Sequence, residues 1–223
     1  MKLILFLFLL PFCCVQAQVA APKSIQFTQA WVWEYQNNFV AENEPGHKGE
    51  LVVYYEPKLN YWLFTGEAYG MSGEMYNWIL GKPDGTYVLC ETDEFGKQTV
   101  TEQRLKFPLN KMLAPHYKSV GKKKVFNQNR LGFPKIEGRE FNVIYAKTNE
   151  QSSIFVGDFK ANFLALYFFN RLNIEAKLPF QFPVDFPKSK LLLQEVSTTN
   201  KIKLQLTFKE ISHTEYYINL KTE

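Results

Sequence analysis

Near the start of the chain the apolar residues fall on odd-numbered positions. Ile25, Phe27, Trp31, Trp33 and Tyr35 recur with Gln26, Thr28 and Glu34 between them. A period of two over this length predicts a β-strand with one heavily aromatic face. Residues 37–49 carry Asn, Glu, Pro and Gly and read as a loop. Three hairpins follow. Leu51–Tyr55 and Tyr61–Phe64 flank Glu56-Pro57-Lys58-Leu59-Asn60, where proline presets the turn and Asn tolerates the left-handed region. Tyr76–Leu80 and Thr86–Cys90 flank Lys82-Pro83-Asp84-Gly85. Tyr87–Glu91 and Gln98–Leu105 flank Asp93-Glu94-Phe95-Gly96, with Gly96 supplying the positive φ. Consecutive hairpins define an antiparallel meander.

Residues 106–124 break the pattern. Pro108 to Ala114 reads as one or two helical turns before Pro115, and Lys118, Lys122, Lys123 and Lys124 follow. Strands resume at Val125-Phe126, at Glu140–Ala146 with Phe141, Val143 and Tyr145 inward, and at Ile154–Val156. Phe159, Phe163, Tyr167 and Phe168 then recur at spacings of four, four and one, with Leu164 and Leu172 nearby. This predicts an amphipathic helix over 158–172 capped by Asp158, with a strand ending at Phe168-Phe169 left open. Pro179, Pro183 and Pro187 keep residues 178–188 out of helix and sheet interior. That strip is expected to lie extended across a surface, held by Phe180, Phe182 and Phe186. Leu191–Val196 and Ile202–Ile211 form a last hairpin, and Tyr216, Ile218 and Leu220 a final strand. No fixed-period repeat or low-complexity stretch interrupts the series.

Composition adds a compartment and a domain count. Met1-Lys2 and the apolar run from Leu3, closed by Val15-Gln16-Ala17, read as a secretory signal over residues 1–17. The rival reading, lipidation of Cys13 or Cys14, wants small residues before the cysteine and meets bulky Phe12. Residues 18–223 then form a single β-rich domain. Cleavage leaves only Cys90, so no internal disulfide is available and the core alone must stabilise the domain. No Asn-x-Ser/Thr acceptor occurs. The chain is therefore expected to be exported, periplasmic or secreted, and bacterial. No later segment is apolar enough to span a membrane as a helix. A net charge of +4 does not call for nucleic acid.

About ten meander strands with one helix and one proline-rich crossover predict a mainly β fold. Its curved antiparallel sheet is a half-barrel or open barrel, with the helix packed in or across the concave face. The turn-exposing hairpins Tyr55-Glu56-Pro57-Lys58-Leu59-Asn60 and Gly81-Lys82-Pro83-Asp84-Gly85, the late Phe163-to-Leu172 helix and the closing pair Leu191–Val196 and Ile202–Ile211 carry a resemblance of architecture. In these the chain resembles exported half-barrel proteins of the bacterial envelope, of the lipoprotein-localisation-carrier type. The likeness covers about two-thirds of the domain and brings no ligand-gating residues with it. It implies binding of an apolar ligand, such as acyl chains, without catalysis.

The residues name no reaction. His47, His116 and His213 stand alone, without metal-ligand spacing, so neither metal nor cofactor is expected. Cys90 lies in the apolar run Tyr87-Val88-Leu89-Cys90 and reads as a small buried hydrophobe. Gly70-Met71-Ser72-Gly73-Glu74 misses the nucleophile-elbow spacing and reads as a loop. Asp84, Asp93, Asp158 and Asp185 are the only aspartates and form no calcium loop. Lys122, Lys123 and Lys124 either hold anionic headgroups or keep a sheet edge from pairing. The 20 Phe, 12 Tyr and 4 Trp are the unusual feature. Large aromatics dominate β cores, yet a cavity would account for part of the surplus.

Three functions compete on these residues. The first is a non-catalytic envelope protein that binds a lipid, acyl chain or lipidated partner through Trp31, Trp33, Tyr35, Trp62, Phe163 and Tyr167. The second is an interaction module of an envelope assembly, docking through Phe180, Phe182 and Phe186. The third, ranked last, is a carbohydrate-active enzyme, which would need two carboxylates facing one another across a cleft.

Overall fold

The computed structural model describes residues 24–38, 40–44, 46–69, 76–105, 116–128, 130–144, 151–178, 189–199 and 202–220. The expected signal over residues 1–17, the expected loop at 70–74, Tyr145 and the strip expected to be held by Phe180, Phe182 and Phe186 lie outside them, as do residues 108–114.

Eleven strands make one sheet: β1 (Ser24–Asn37), β2 (Lys48–Glu56), β3 (Tyr61–Thr65), β4 (Trp78–Gly81), β5 (Thr86–Thr92), β6 (Gln98–Arg104), β7 (His116–Phe126), β8 (Ile136–Ile144), β9 (Gln151–Asp158), β10 (Lys190–Thr199) and β11 (Ile202–Asn219). Their spatial order is β6-β5-β4-β3-β2-β1-β11-β10-β9-β8-β7, and every pair is antiparallel. Each strand lies beside its neighbour in sequence except β6 and β7, which form the two edges, and β1 pairs with β11. The order is that of an up-and-down barrel left open between β6 and β7. The fold is therefore mainly β, a single antiparallel meander sheet that does not close, with a short helix against one face.

The turn chemistry places the hairpins. Asn60 closes the β2–β3 turn at φ 56, and Gly85 closes the β4–β5 turn at φ 84. Asp84 holds the latter through its carboxylate, which accepts from the Thr86 N–H and hydroxyl at 3.0 Å each.

Among the described residues two helices are present: α1 (Gly66–Tyr69), between β3 and β4, and α2 (Leu164–Phe168), continued by a 3-10 turn at Phe169–Arg171. The helix expected over 158–172 is thus shorter and starts later. Asp158 is no cap: it ends β9 and pairs with Lys190, the first residue of β10. The N-cap is Phe163, which makes no side-chain capping bond, and the preceding Asn162 accepts from the Leu164 N–H at 3.0 Å through its side-chain oxygen, an Asx turn leading into the helix. Ala165, Leu166, Tyr167, Phe168 and Phe169 are all buried, because the sheet covers one side of the helix and the returning Leu172, Ala176 and Leu178 join the same core.

The sheet carries two apolar clusters. The larger one holds Trp31, Trp33, Leu51, Tyr55, Trp62, Phe64, Ile79, Tyr87 and Leu89 with α2, and marks the concave face. The smaller holds Leu63, Trp78, Leu80, Val88 and Cys90 with Ile25, Phe27 and Ile218. Adjacent residues such as Trp62 and Leu63 divide between the clusters as strand geometry requires. The single aromatic face expected for β1 does not hold throughout. Ile25 and Phe27 join the outer cluster while Trp31 and Trp33 join the inner one. A register shift against β11 between Phe27 and Gln29 separates the two halves. Two further expectations change. β7 is strand from His116 onward, where a lysine-rich loop was expected, since an exposed edge strand has no dry face to imprint alternation. Residues 202–219 are one strand, not two, because bulges absorb the break in pattern.

Candidate functional site

The site grows from a row of cross-strand partners. Side chains directly opposite on neighbouring strands share a face. Gly49 on β2 faces Tyr35 on β1, which faces Leu206 on β11, then Glu195 on β10, Ile154 on β9 and Phe141 on β8. Trp33 and Phe208 form the next row on the same face, their rings 5.2 Å apart.

Over β1–β5 this face is packed solid. Trp31 is the hub, edge-on to Trp62 at 5.3 Å, to Phe159 at 4.9 Å and to Phe163 at 5.7 Å. The buried polar ends are satisfied. Trp33 Nε1 donates to the Leu192 carbonyl at 3.0 Å, Trp62 Nε1 to that of Asn162 at 2.7 Å and Tyr87 Oη to that of Ala165 at 2.7 Å. Tyr167 donates to the Lys190 carbonyl and accepts from the Leu192 N–H. Burial pushes the Tyr87 and Tyr167 phenols far above their ordinary range, so both stay neutral donors. Tyr55 is pushed up to about 12 by burial and donates to the Asn60 side chain.

The structure thus brings Trp31, Trp33, Trp62, Phe163 and Tyr167 together, each no more than 2% exposed. Tyr35, at the margin of this cluster, is half-buried. Trp78 sits in the outer cluster instead. Beyond α2, over β7–β10, the same face opens into a trough of about 260 Å³. Tyr117, Phe141 and Val156 form its apolar floor, and Glu137, Arg139, Asp158 and Lys190 its charged rim. Sequence reasoning placed Phe141 inward but did not see the trough. Tyr117 hides in a lysine-rich stretch without alternation, and Val156 sits in what reads as a three-residue strand.

One carboxyl on this face stands apart. Glu195 is 8% exposed, and no hydrogen bond or ion pair reaches it among the described residues. Desolvation alone pushes it up to about 7. Nothing in the sequence marks it, because Glu195 sits between Gln194 and Val196 like any surface glutamate.

A polar groove of about 520 Å³ is lined by Glu34, Gln36, Glu50, Gln194, Gln205 and Thr207 of the convex face together with Tyr35 and Gly49 of the concave row. Glu34 and Glu50 are cross-strand partners, the opposed pair that carbohydrate chemistry would need. Lys209 bridges both, 3.1 Å from Glu34 and 2.5 Å from Glu50, and these hydrogen bonds raise its pKa. All three side chains are exposed, so the trio is an ion-pair bridge open to water.

The three lysines lie along edge strand β7. Lys122 stands 3.6 Å from Glu140 and Lys123 3.0 Å from Glu137. Lys124 reaches Gln194 and lies 5.0 Å from the Phe126 ring centroid. His47 contacts the Val40 carbonyl at 2.9 Å and His213 packs on Phe133 at 4.5 Å. Cys90 is fully buried, and desolvation raises its thiol pKa. Among the described residues no group of three potential ligands could hold a metal, and no helix is long and apolar enough to cross a membrane.

No family model matches the chain, and no curated protein matches it.

Proposed function

We propose that this is a non-catalytic exported protein that carries an apolar ligand, a lipid or acyl chain, against the concave face of its open sheet. The observation that supports this most is the trough beyond α2. A buried aromatic core ends there and an apolar floor ringed by charges begins, which is how sites for chain-bearing molecules are built. Phe141, Tyr117 and Val156 are its contact surface, while the packed tryptophans belong to the core beside it and do not line it. Export by the residue 1–17 signal belongs to the same reading.

A fluorescent fatty acid titrated into delipidated protein tests it. Saturable uptake, weakened at least about tenfold by Phe141→Asp with the far-UV spectrum unchanged, supports the reading. Absence of saturable uptake by the wild type overturns it.

A second reading, an interaction module in an envelope assembly, is favoured by the two open sheet edges. β6 and β7 each leave one side of the backbone without a strand partner among the described residues, and such edges can accept a strand from another protein.

A further inference from the structure

Among the rim charges of the trough, Arg139 is the one that the fold leaves without a close partner. It sits on β8 two residues before Phe141, so the two side chains share the concave face about 7 Å apart. Its cross-strand partners are Lys123 on β7 and Val156 on β9, the latter part of the apolar floor. The carboxylates of the rim are already taken. Glu137 lies 3.0 Å from Lys123, and Asp158 is paired with Lys190. Arg139 approaches Glu137 only through Nε, at 3.9 Å, which is beyond hydrogen-bond reach. Lys123, Arg139 and Lys190 thus meet only Glu137 and Asp158, and the surplus positive charge stands on the guanidinium. Glu195 belongs to the same face, but Ile154, 1% exposed, stands between it and the trough.

The trough runs from this charge toward Tyr117. Tyr117 pairs with Val143, four residues along β8 from Arg139, a span of about 14 Å. The volume of about 260 Å³ falls below the roughly 300–1,000 Å³ of pockets for drug-sized ligands. That is room for one alkyl chain, not for the paired chains of a diacyl lipid.

We propose that the trough takes the anion of a single-chain fatty acid, its carboxylate in the guanidinium fork of Arg139 and its chain over Val156 and Phe141 toward Tyr117. This rests on the reading of that face as an apolar-ligand site and adds the head group and the chain number to it. A guanidinium presents parallel N–H donors that match the two oxygens of a carboxylate. Lys123 and Arg139 are like charges directly opposite one another, an arrangement that a bound anion relieves. An ammonium head has no such complement, since Glu137 and Asp158 already hold lysines.

Calorimetric titration of the purified protein at pH 7.5 with decanoate and with decan-1-ol, each below its solubility or micelle limit, tests the proposal. Comparing the two ligands cancels the chain and leaves the head. The affinity ratio of decanoate to decanol should fall about fivefold in Arg139→Gln, the upper end for an exposed ion pair. The Arg139 side chain is 66% exposed, so the variant should keep its fold, read by its far-UV spectrum. Lys118→Gln removes the same charge from the other face of β7, opposite Asn142, and should leave the ratio unchanged. A ratio unchanged in Arg139→Gln, or reduced equally in Lys118→Gln, overturns the anchor while the apolar-ligand reading stands. Displacement of decanoate by dihexanoyl phosphatidate, an anion with two chains, at comparable concentration overturns the single-chain occupant. Binding of neither decanoate nor decanol by the wild type overturns the proposal and that reading together.

Discussion

Trp33 on β1 donates its indole N–H to the carbonyl of Leu192 on β10, bridging 159 residues of sequence with both groups out of water. β11 lies between those strands, so the bond spans the sheet's curvature instead of following its ladder. It pins the start of β10, where the chain returns from the helix, against the central aromatic cluster.

Trp33→Phe removes this donor, leaves a buried carbonyl unpaired and opens a small void. The expected loss is about 2–4 kcal/mol in urea unfolding. A change below about 1 kcal/mol would mean the bond does not hold the curvature.

Gly81 on β4 is where the helix meets the sheet. A Cβ added there would come within 2.6 Å of the Ala165 Cβ on α2, a distance no relaxed pair adopts. Gly81→Ala should destabilise by about 1–3 kcal/mol through overpacking. Pairing it with Ala165→Gly should cost less than the two single changes added together, a coupling that a double-mutant cycle reads directly. Additive costs would show that the contact is not shared.

Glu195 predicts a specific pH dependence. Its pKa rises from 4.5 in the unfolded chain to about 7 in the fold. Below pH 4.5 both states are protonated and the group is neutral to stability. As pH rises toward 7 only the unfolded chain ionises, so stability falls, by about 3 kcal/mol in all, and then levels off. Glu195→Gln should abolish this component. The difference in unfolding free energy between the variant and the wild type should therefore grow between pH 4.5 and 7. A constant difference would show that the carboxyl is solvated.

Asn162 forms the turn that leads into α2 and also presents its carbonyl to Trp62. Asn162→Ala keeps the carbonyl but removes the side-chain acceptor for the Leu164 N–H and the donor to the Pro83 carbonyl at 3.3 Å. The expected cost is about 1–2 kcal/mol. Asp158→Ala should cost less, because its partner Lys190 is an exposed surface pairing. The reverse order would restore Asp158 as the structural start of the helix.

The sheet was legible in the sequence wherever one face is wet and one dry. Ile202, Leu204, Leu206 and Phe208 alternate almost without error, and the turn residues Asn60, Gly85 and Gly96 take the left-handed backbone their chemistry suggests. Legibility failed where that contrast disappears. Between Tyr117 and Phe126 β7 is wet on both sides, so Lys118 through Lys124 looked like a loop. α2 is dry nearly all round, so the spacing of Phe159, Phe163 and Tyr167 overstated its length. The aromatic residues expected to gather did gather, but as packed core. The trough beside them and the lone carboxyl at Glu195 depend on which strands become neighbours across β10. Alternation along a single strand carries no record of that.

The central claim is that an apolar ligand lies on the concave face beyond α2. A photoactivatable fatty acid carrying a diazirine near its methyl end, crosslinked to the protein and mapped by peptide mass spectrometry, tests this most directly. The account predicts adducts on peptides containing Tyr117, Phe141 or Val156, competed away by unlabelled fatty acid. Competable adducts confined to the polar groove around Gln36, Gln194 and Gln205, or no competable adduct at all, would contradict it.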